Sequence, residues 1–359
     1  MIKEVIKMDT KPIITKETKN KIHVDYEGKL TFKERLSNKL RSSHTWIKAG
    51  IAVFRFVLML GVSFVILYPF IARIAGSFMS QEDVIDSTVA IIPKNFTLQI
   101  YRGIILENRY FEAFFNTLLL ALICAVVQTL ISCLVGYGLA KFKFRGNGAL
   151  MAMVVVTMII PHRTLKLAML KHFSFFDILT IQSLDYTGPL GMIKELFTGD
   201  SRIELFNTYW PLIILSICGI AFKNGLYIYL MRQFFKGVPD ELEESAYVDG
   251  SGVFRTFFQI ILPLSVPMMI TVFLFSFSWQ WTDEFYTRLF FGTTGGLYLM
   301  PSVYMYLPPS LVTGYSGQEL YNSVIRNTAG LLIIAPLVVI YLFCQKYLVQ
   351  GIERSGLVG

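Results

Sequence analysis

An all-α integral membrane protein is the fold class this sequence predicts: six transmembrane helices, both termini in the cytoplasm, and a short cytoplasmic helix between spans four and five. Three observations predict it. Of 359 residues, 54% are hydrophobic and only 16% charged, where a soluble domain carries roughly a quarter charged. Several apolar runs reach the ~20 residues a helix needs to cross a ~30 Å hydrocarbon layer. Finally, Lys and Arg alternate in abundance from one inter-span segment to the next. The formal charge of +8 is therefore read as a membrane signal rather than as a nucleic-acid footprint.

The six spans fall near residues 50–74, 114–140, 149–169, 209–230, 264–283 and 327–349. With the N-terminus inside, segments 1–48, 141–147, 231–255 and 346–359 are cytoplasmic and hold 20 Lys and Arg. The opposite loops, 75–112, 162–207 and 281–327, hold 10 over a greater length. The positive-inside rule selects this orientation, most clearly at Lys141-Phe142-Lys143-Phe144-Arg145.

The elements follow in order. Residues 1–48 are hydrophilic, mixed in charge and without the apolar core of a signal peptide. They form a first segment, a partly disordered arm whose basic stretch Phe32–Lys48 rests on the inner headgroups. Residues 49–351 form the membrane domain, and 352–359 a short cytoplasmic tail. Asn116 and Thr117 are expected to cap the start of span two. Its end, Gly136-Tyr137-Gly138, offers small residues for close helix approach in lipid. Span three ends at Ile159-Ile160-Pro161. The connection His162–Thr208 is long, with a segment around Ile178–Ile203 that reads as a lid, a docking surface or a plain insertion. Span four opens with Tyr209-Trp210-Pro211, aromatics at the outer interface.

The segment from Gly237 to Pro267 is the most informative. Pro239, Asp240 and Glu241 read as a helix start, acidic where the helix dipole is positive. Leu242 and Ala246 share a face at i, i+4, small Ser245 and Ala246 permit close contact, and Gly250 ends the helix in a left-handed turn. A second helix over Val253–Ile261 presents Phe254, Phe257, Phe258 and Ile261, and Pro263 and Pro267 turn the chain into span five. Within this stretch, Glu244-Ser245-Ala246 is followed after three residues by Gly250, and after nine more by Ile260-x-Leu262-Pro263. The pattern resembles the Glu-Ala-Ala (EAA) loop of permease subunits in binding-protein-dependent ABC importers, carbohydrate branch (MalG-like), with Ser245 in place of the first alanine. Met231-Arg232-Gln233-Phe234-Phe235 and the ends of several spans are similar to that family too, over about residues 50–359.

The resemblance implies a coupling helix that docks in a cleft of an ATPase. Its carried-over residues are Glu244, Ser245, Ala246, Asp249 and Gly250. It implies as partners a second homologous permease subunit, two ATPase subunits, an extracellular solute-binding protein, a carbohydrate substrate, most simply an oligosaccharide, and membrane lipid. ATP and Mg would belong to the ATPase. The chain itself carries no cofactor in this reading. A cell-membrane, multi-pass location follows.

No Gly-x-x-x-x-Gly-Lys-Ser/Thr phosphate loop occurs, and Gly292-Thr293-Thr294-Gly295-Gly296 lacks the lysine. His23, His44, His162 and His172 show no metal-ligand spacing, and Cys124, Cys133, Cys218 and Cys344 read as apolar packing residues within spans. No enzyme and no metal site is expected. For a substrate pathway, Trp279, Trp281, Asp283 and Glu284 at the outer end of span five pair aromatic faces with carboxylates, a combination suited to sugars. Against that stands an interfacial aromatic belt. Lys223 and Asn224 lie inside span four, and an intramembrane lysine marks function, snorkelling or a helix contact. A secondary active transporter or a non-transporting scaffold are the alternatives; uptake that follows an ion gradient, or absence of an ATPase partner, would distinguish them.

Overall fold

The structure is a computed structural model that describes residues 14–17, 23–26, 43–174, 176, 205–291, 297–312, 314 and 317–356. The expected insertion around 178–203, the glycine-rich 292–296, most of the N-terminal arm and residues 357–359 lie outside the described residues. The chain divides into two compact units, Met1–Ile71 and Ala72–Gly359.

The first unit departs from a purely helical expectation. Strands β1 (Ile14–Glu17) and β2 (His23–Tyr26) pair antiparallel, with Ile14 opposite Tyr26 and Glu17 opposite His23. Their β-branched and aromatic residues favour the extended backbone. Helix α1 (Ser43–Gly76) then begins, and its portion Gly50–Gly76 is long and apolar enough to span a membrane. Its Val53, Phe54, Phe56, Met59 and Leu60 side chains are exposed, as lipid solvation of a span allows.

The second unit holds the remaining helices. They are α2 (Gln81–Ile85), α3 (Gln99–Glu107), α4 (Tyr110–Lys141), α5 (Asn147–Ile159), α6 (Lys166–Ser174) and α7 (Trp210–Ile217). Next come α8 (Asn224–Lys236), α9 (Glu241–Val248), α10 (Val253–Thr256), α11 (Leu262–Trp281), α12 (Glu284–Phe290), α13 (Met300–Met305) and α14 (Gln318–Gly356). Among the described residues, four helices have the length and apolarity of a span: Gly50–Gly76, Tyr110–Lys141, Val253–Trp281 and Gln318–Val349. A bent pair raises the number to five.

Four expected spans differ in detail; the sixth starts at Gln318 where it was expected near 327. The third is bent by 90° between Asn147–Ile159 and His162–Ser174. Pro161 is the cause, because it pushes Ile160 out of the helical region, to φ −68° and ψ 119°. The fourth is broken into α7 and α8, with Gly219 (φ 70°) and Lys223 (φ 64°) in left-handed conformations between them. The fifth is longer than expected. Val253–Trp281 is one continuous span, so Pro263 and Pro267 do not turn the chain. A π turn at Phe257–Ile261, closed by the Leu262 amide on Phe257 O, precedes Pro263 and accommodates a residue that cannot donate.

Helix α4 is the axis of this unit. All three buried clusters among the described residues draw on it: Ala121 and Ala125 in one, Leu120 and Cys124 in the second, Cys133 and Tyr137 in the third. Burial of apolar surface drives little association between helices in lipid; close packing and hydrogen bonds do. Both are present. A Cβ on Gly136 would sit 2.7 Å from Met231 Cβ and 2.9 Å from Arg232 N, so α4 and α8 cross almost in backbone contact. Gln128, at the middle of α4, donates to Ser216 Oγ on α7 (3.0 Å) and accepts from Ser276 Oγ on α11 (2.7 Å). Asn116 and Thr117 are not caps, since α4 starts at Tyr110. Instead Asn116 donates to Tyr298 O (3.1 Å), and Thr117 Oγ1 accepts the Met300 amide (2.8 Å).

Candidate functional site

Two places carry the residues singled out by the sequence. The first is α9, the short acidic helix between α8 and α10. Glu241, Glu243 and Glu244 fill its first turn, where partial positive charge favours them. Its end is closed by two bonds, Gly250 N–H to Tyr247 O (3.0 Å) and Ser251 N–H to Ala246 O (2.9 Å). This is a Schellman terminator, and Gly250 supplies the left-handed residue it needs, φ 82°. Open space surrounds the position of a Gly250 Cβ, so the backbone alone demands glycine there.

The buried face of α9 is not the expected one. Ala246 is buried, but its partner is Glu243 at i−3, while Leu242 is exposed. Glu244, Ser245 and Asp249 are exposed, and Val248 is 87% exposed. Four of the five candidate residues therefore lie on the accessible side or at the turn, and Ala246 seats the helix. In the following segment Phe257 and Ile261 are buried, whereas Phe254 and Phe258 are exposed.

What grips α9 was not singled out by the sequence. Lys141, the last residue of α4, donates to Val238 O (2.6 Å) and to Asp240 Oδ1 (2.5 Å). Its side chain is nearly buried, while Asp240 is exposed. The ammonium group holds the Asp240 carboxyl below the usual carboxylate range. One turn earlier on α4, the Tyr137 hydroxyl faces Glu243 and Tyr247 of α9. The Tyr137 hydroxyl and Glu243 Oε1 are both buried, so each is the other's means of satisfaction on this face. The basic turn after span two was visible as a membrane anchor; its reach of 97 residues to Val238 was not.

The second place is a cavity of about 460 Å³ between α5, α8 and the α11–α12 junction, lined among others by His162, Phe222, Lys223, Trp279, Asp283 and Glu284. Lys223 Nζ lies 5.2 Å from the centroids of both Phe222 and Trp279, a double cation–π contact. His162 Nδ1 is 2.6 Å from the Tyr286 hydroxyl. Asp283 caps α12 by accepting the Tyr286 amide (2.9 Å), and Glu284 pairs with Arg288.

Trp281 and Asn224 stand apart from this group. Trp281 is fully buried, donates to Ile333 O (2.9 Å) and stacks on Phe277. It is a core residue because its helical position points away from that of Trp279, two residues earlier. Asn224 is also fully buried, 3.5 Å from Ser132 Oγ, with its Oδ1 unpartnered. His162, Arg163 and Phe222 are among the cavity residues that sequence reasoning missed, because their convergence depends on the bend at Pro161 and the break before Asn224. Among the described residues no group of three or more His, Cys, Asp or Glu has the arrangement of a metal site.

Residues 128–354 match the family described as "Binding-protein-dependent transport system inner membrane component". The chain is 27% identical over 317 residues to the probable ABC transporter permease protein YurM of Bacillus subtilis (strain 168), covering 87% of this chain and 89% of that one. It is 26% identical over 301 residues to the maltodextrin transport system permease protein MalD of Streptococcus pneumoniae (strain ATCC BAA-255 / R6), covering 84% and 93%. Among solved structures, a bacterial ABC transporter that imports the acidic polysaccharide alginate aligns with a TM-score of 0.57 at 18% identity, over 85% of this chain and 98% of that one. That likeness establishes the shared fold.

Proposed function

The chain belongs to the family of binding-protein-dependent transport system inner membrane components, and from that premise we propose how it couples ATP to the import of a carbohydrate. As a member it is a multi-pass permease subunit of an ABC importer, a translocating rather than a catalytic subunit. In our reading it has six spans, both termini in the cytoplasm, an N-terminal arm over 1–48 and a short tail over 352–359. The bent pair α5–α6 and the broken pair α7–α8 then supply the two spans that are not single helices. It works beside a second homologous permease, two ATPase subunits that bind ATP and Mg, and an extracellular solute-binding protein. An oligosaccharide is the preferred cargo, in line with the maltodextrin permease and the alginate importer among its relatives.

One observation carries the coupling role. Helix α9 is a rigid acidic peg, exposed on its Glu244 side and closed by the Gly250 terminator, and its root is clamped to α4 by Lys141. A peg of this kind moves as a unit with what holds it. Closure of the ATPase pair on α9 would displace α8 and α10–α11, to which it is joined, and α4, to which it is bonded. Through Gln128, α4 carries the displacement to α7 and α11 in mid-membrane.

The cavity at Lys223 and Trp279 is the candidate sugar contact, with Asp283 and Glu284 in its lining. Trp279 is 47% exposed and offers a ring face for stacking. The test uses the whole importer reconstituted in vesicles, with uptake and ATP turnover read together. Glu244→Ala lowers both, by roughly fivefold or more. Lys223→Met lowers uptake and leaves basal ATP turnover unchanged. Loss of neither activity with Glu244→Ala removes α9 from the coupling role; unchanged uptake with Lys223→Met removes the cavity from the pathway.

A further inference from the structure

At the α4–α5 turn a basic groove remains that neither coupling nor sugar transfer uses. Its volume is about 650 Å³, and Lys143, Arg145, Arg232 and Lys236 line it. The first two come from the turn after α4. The last two come from the final turns of α8, four residues apart and so on one face. Two segments distant in sequence thus direct four cations at one space.

Among the described residues none of the four is in an ion pair. Asp240 is bonded to Lys141 and feels Lys143 only at longer range. Arg232 is held in place, since its Nε donates to Leu139 O (3.3 Å).

A second feature of the groove points the same way. Helix α5, 13 residues long, starts here, and no side chain caps it. Its N-cap is Gly146, with φ 100°, and Asn147, the one side chain lining the groove that can accept a hydrogen bond, is turned back to Leu139 O (3.2 Å) and Phe142 O (3.0 Å). The amides of Gly148 and Ala149 are therefore left to an outside acceptor, because the first amides of a helix have no partner within it. The space beside Gly148 is open, with no atom within 4 Å of where a Cβ would stand. An uncapped helix start ringed by cations is an anion site.

Phe142 and Phe144, 43% and 45% exposed, flank the same turn. The groove lies at the end of the Tyr110–Lys141 span, where headgroups meet hydrocarbon. An anion that also offers acyl chains fits this surroundings better than a free one. We propose that the groove binds an anionic phospholipid, its phosphate at the start of α5 among the four basic side chains and its chains against the two phenylalanines.

The experiment uses the intact importer, equilibrated with equal phosphatidylglycerol and phosphatidylcholine in mixed micelles and examined by native mass spectrometry. Wild type retains phosphatidylglycerol in preference to phosphatidylcholine. Lys143→Gln, Arg145→Gln and Lys236→Gln combined, all exposed positions, lower that retention by about tenfold or more, since each basic residue near an anionic surface contributes separately. Lys143→Arg with Lys236→Arg keeps it. Equal retention of the two lipids by wild type overturns the proposal, and so does undiminished phosphatidylglycerol on the triple variant. Loss of the ATPase subunits from a triple variant that still holds the lipid overturns it too, and assigns the groove to that protein interface.

Discussion

Lys141 closes the last turn of α4, and what it does depends on being nearly dehydrated. A lysine so placed needs acceptors, and Val238 O and Asp240 supply them. Replacing it by methionine keeps the stem and removes the charge. We expect Lys141→Met to leave the complex assembled while lowering transport-coupled ATP turnover by roughly fivefold or more. An assembled complex with unaltered turnover would show that the covalent joints of α9 suffice. In the sequence this lysine was legible as one basic residue among three in a tight turn. Its partner was not legible, because nothing local ties residue 141 to residues 238 and 240. Trp279 and Trp281 make the same point. Two residues apart on one helix, they read alike as sugar-stacking candidates, yet one lines a cavity and the other is sealed against Phe277 and Ile333 O.

Helix α4 shows what an element contributes beyond its residues. Its apolar run was plain, but not its place at the centre, where its small and polar positions contact three different neighbours. Gly136 and Gly138 look interchangeable in sequence. A methyl group on Gly136 would run into the α8 backbone, whereas on Gly138 it would meet only the edge of the Phe142 ring at 3.9 Å. Gly136→Ala should therefore cost about 1–3 kcal/mol and lower the thermal midpoint of the detergent-solubilised complex. Gly138→Ala should leave the midpoint unchanged or slightly raised, since alanine is the better helix former. Equal behaviour of the two variants would mean that α4 and α8 do not cross where Met231 meets Gly136. Helix α9 was the most legible element, because acidic first turn and terminal glycine are local signals. Its buried face was misread: Glu243, not Leu242, turns inward beside Ala246, toward Tyr137 on α4.

For the molecule in its membrane, the reading rests on which side α9 occupies. The alternation of Lys and Arg predicts the cytoplasm, and that is open to direct measurement. Asp249 is exposed, so Asp249→Cys should react with a membrane-impermeant maleimide in inverted vesicles and not in intact cells. The four native cysteines are replaced by alanine first. Labelling from outside the cell would reverse the topology and end the coupling argument. Composition and the spacing of apolar runs were enough for a helical membrane protein, because membrane crossing and helix termination are set by contiguous residues. The permease reading came from the resemblance of the Glu244–Pro263 pattern to a known loop, and the family match over residues 128–354 established it. The 90° bend of span three likewise has a local cause, in Pro161. Tertiary structure alone decided that span four breaks at a left-handed Lys223 and that α4 grips α9. Those outcomes depend on close approach between segments as much as 99 residues apart, and pairwise contact at that range leaves no periodicity for a single chain to display.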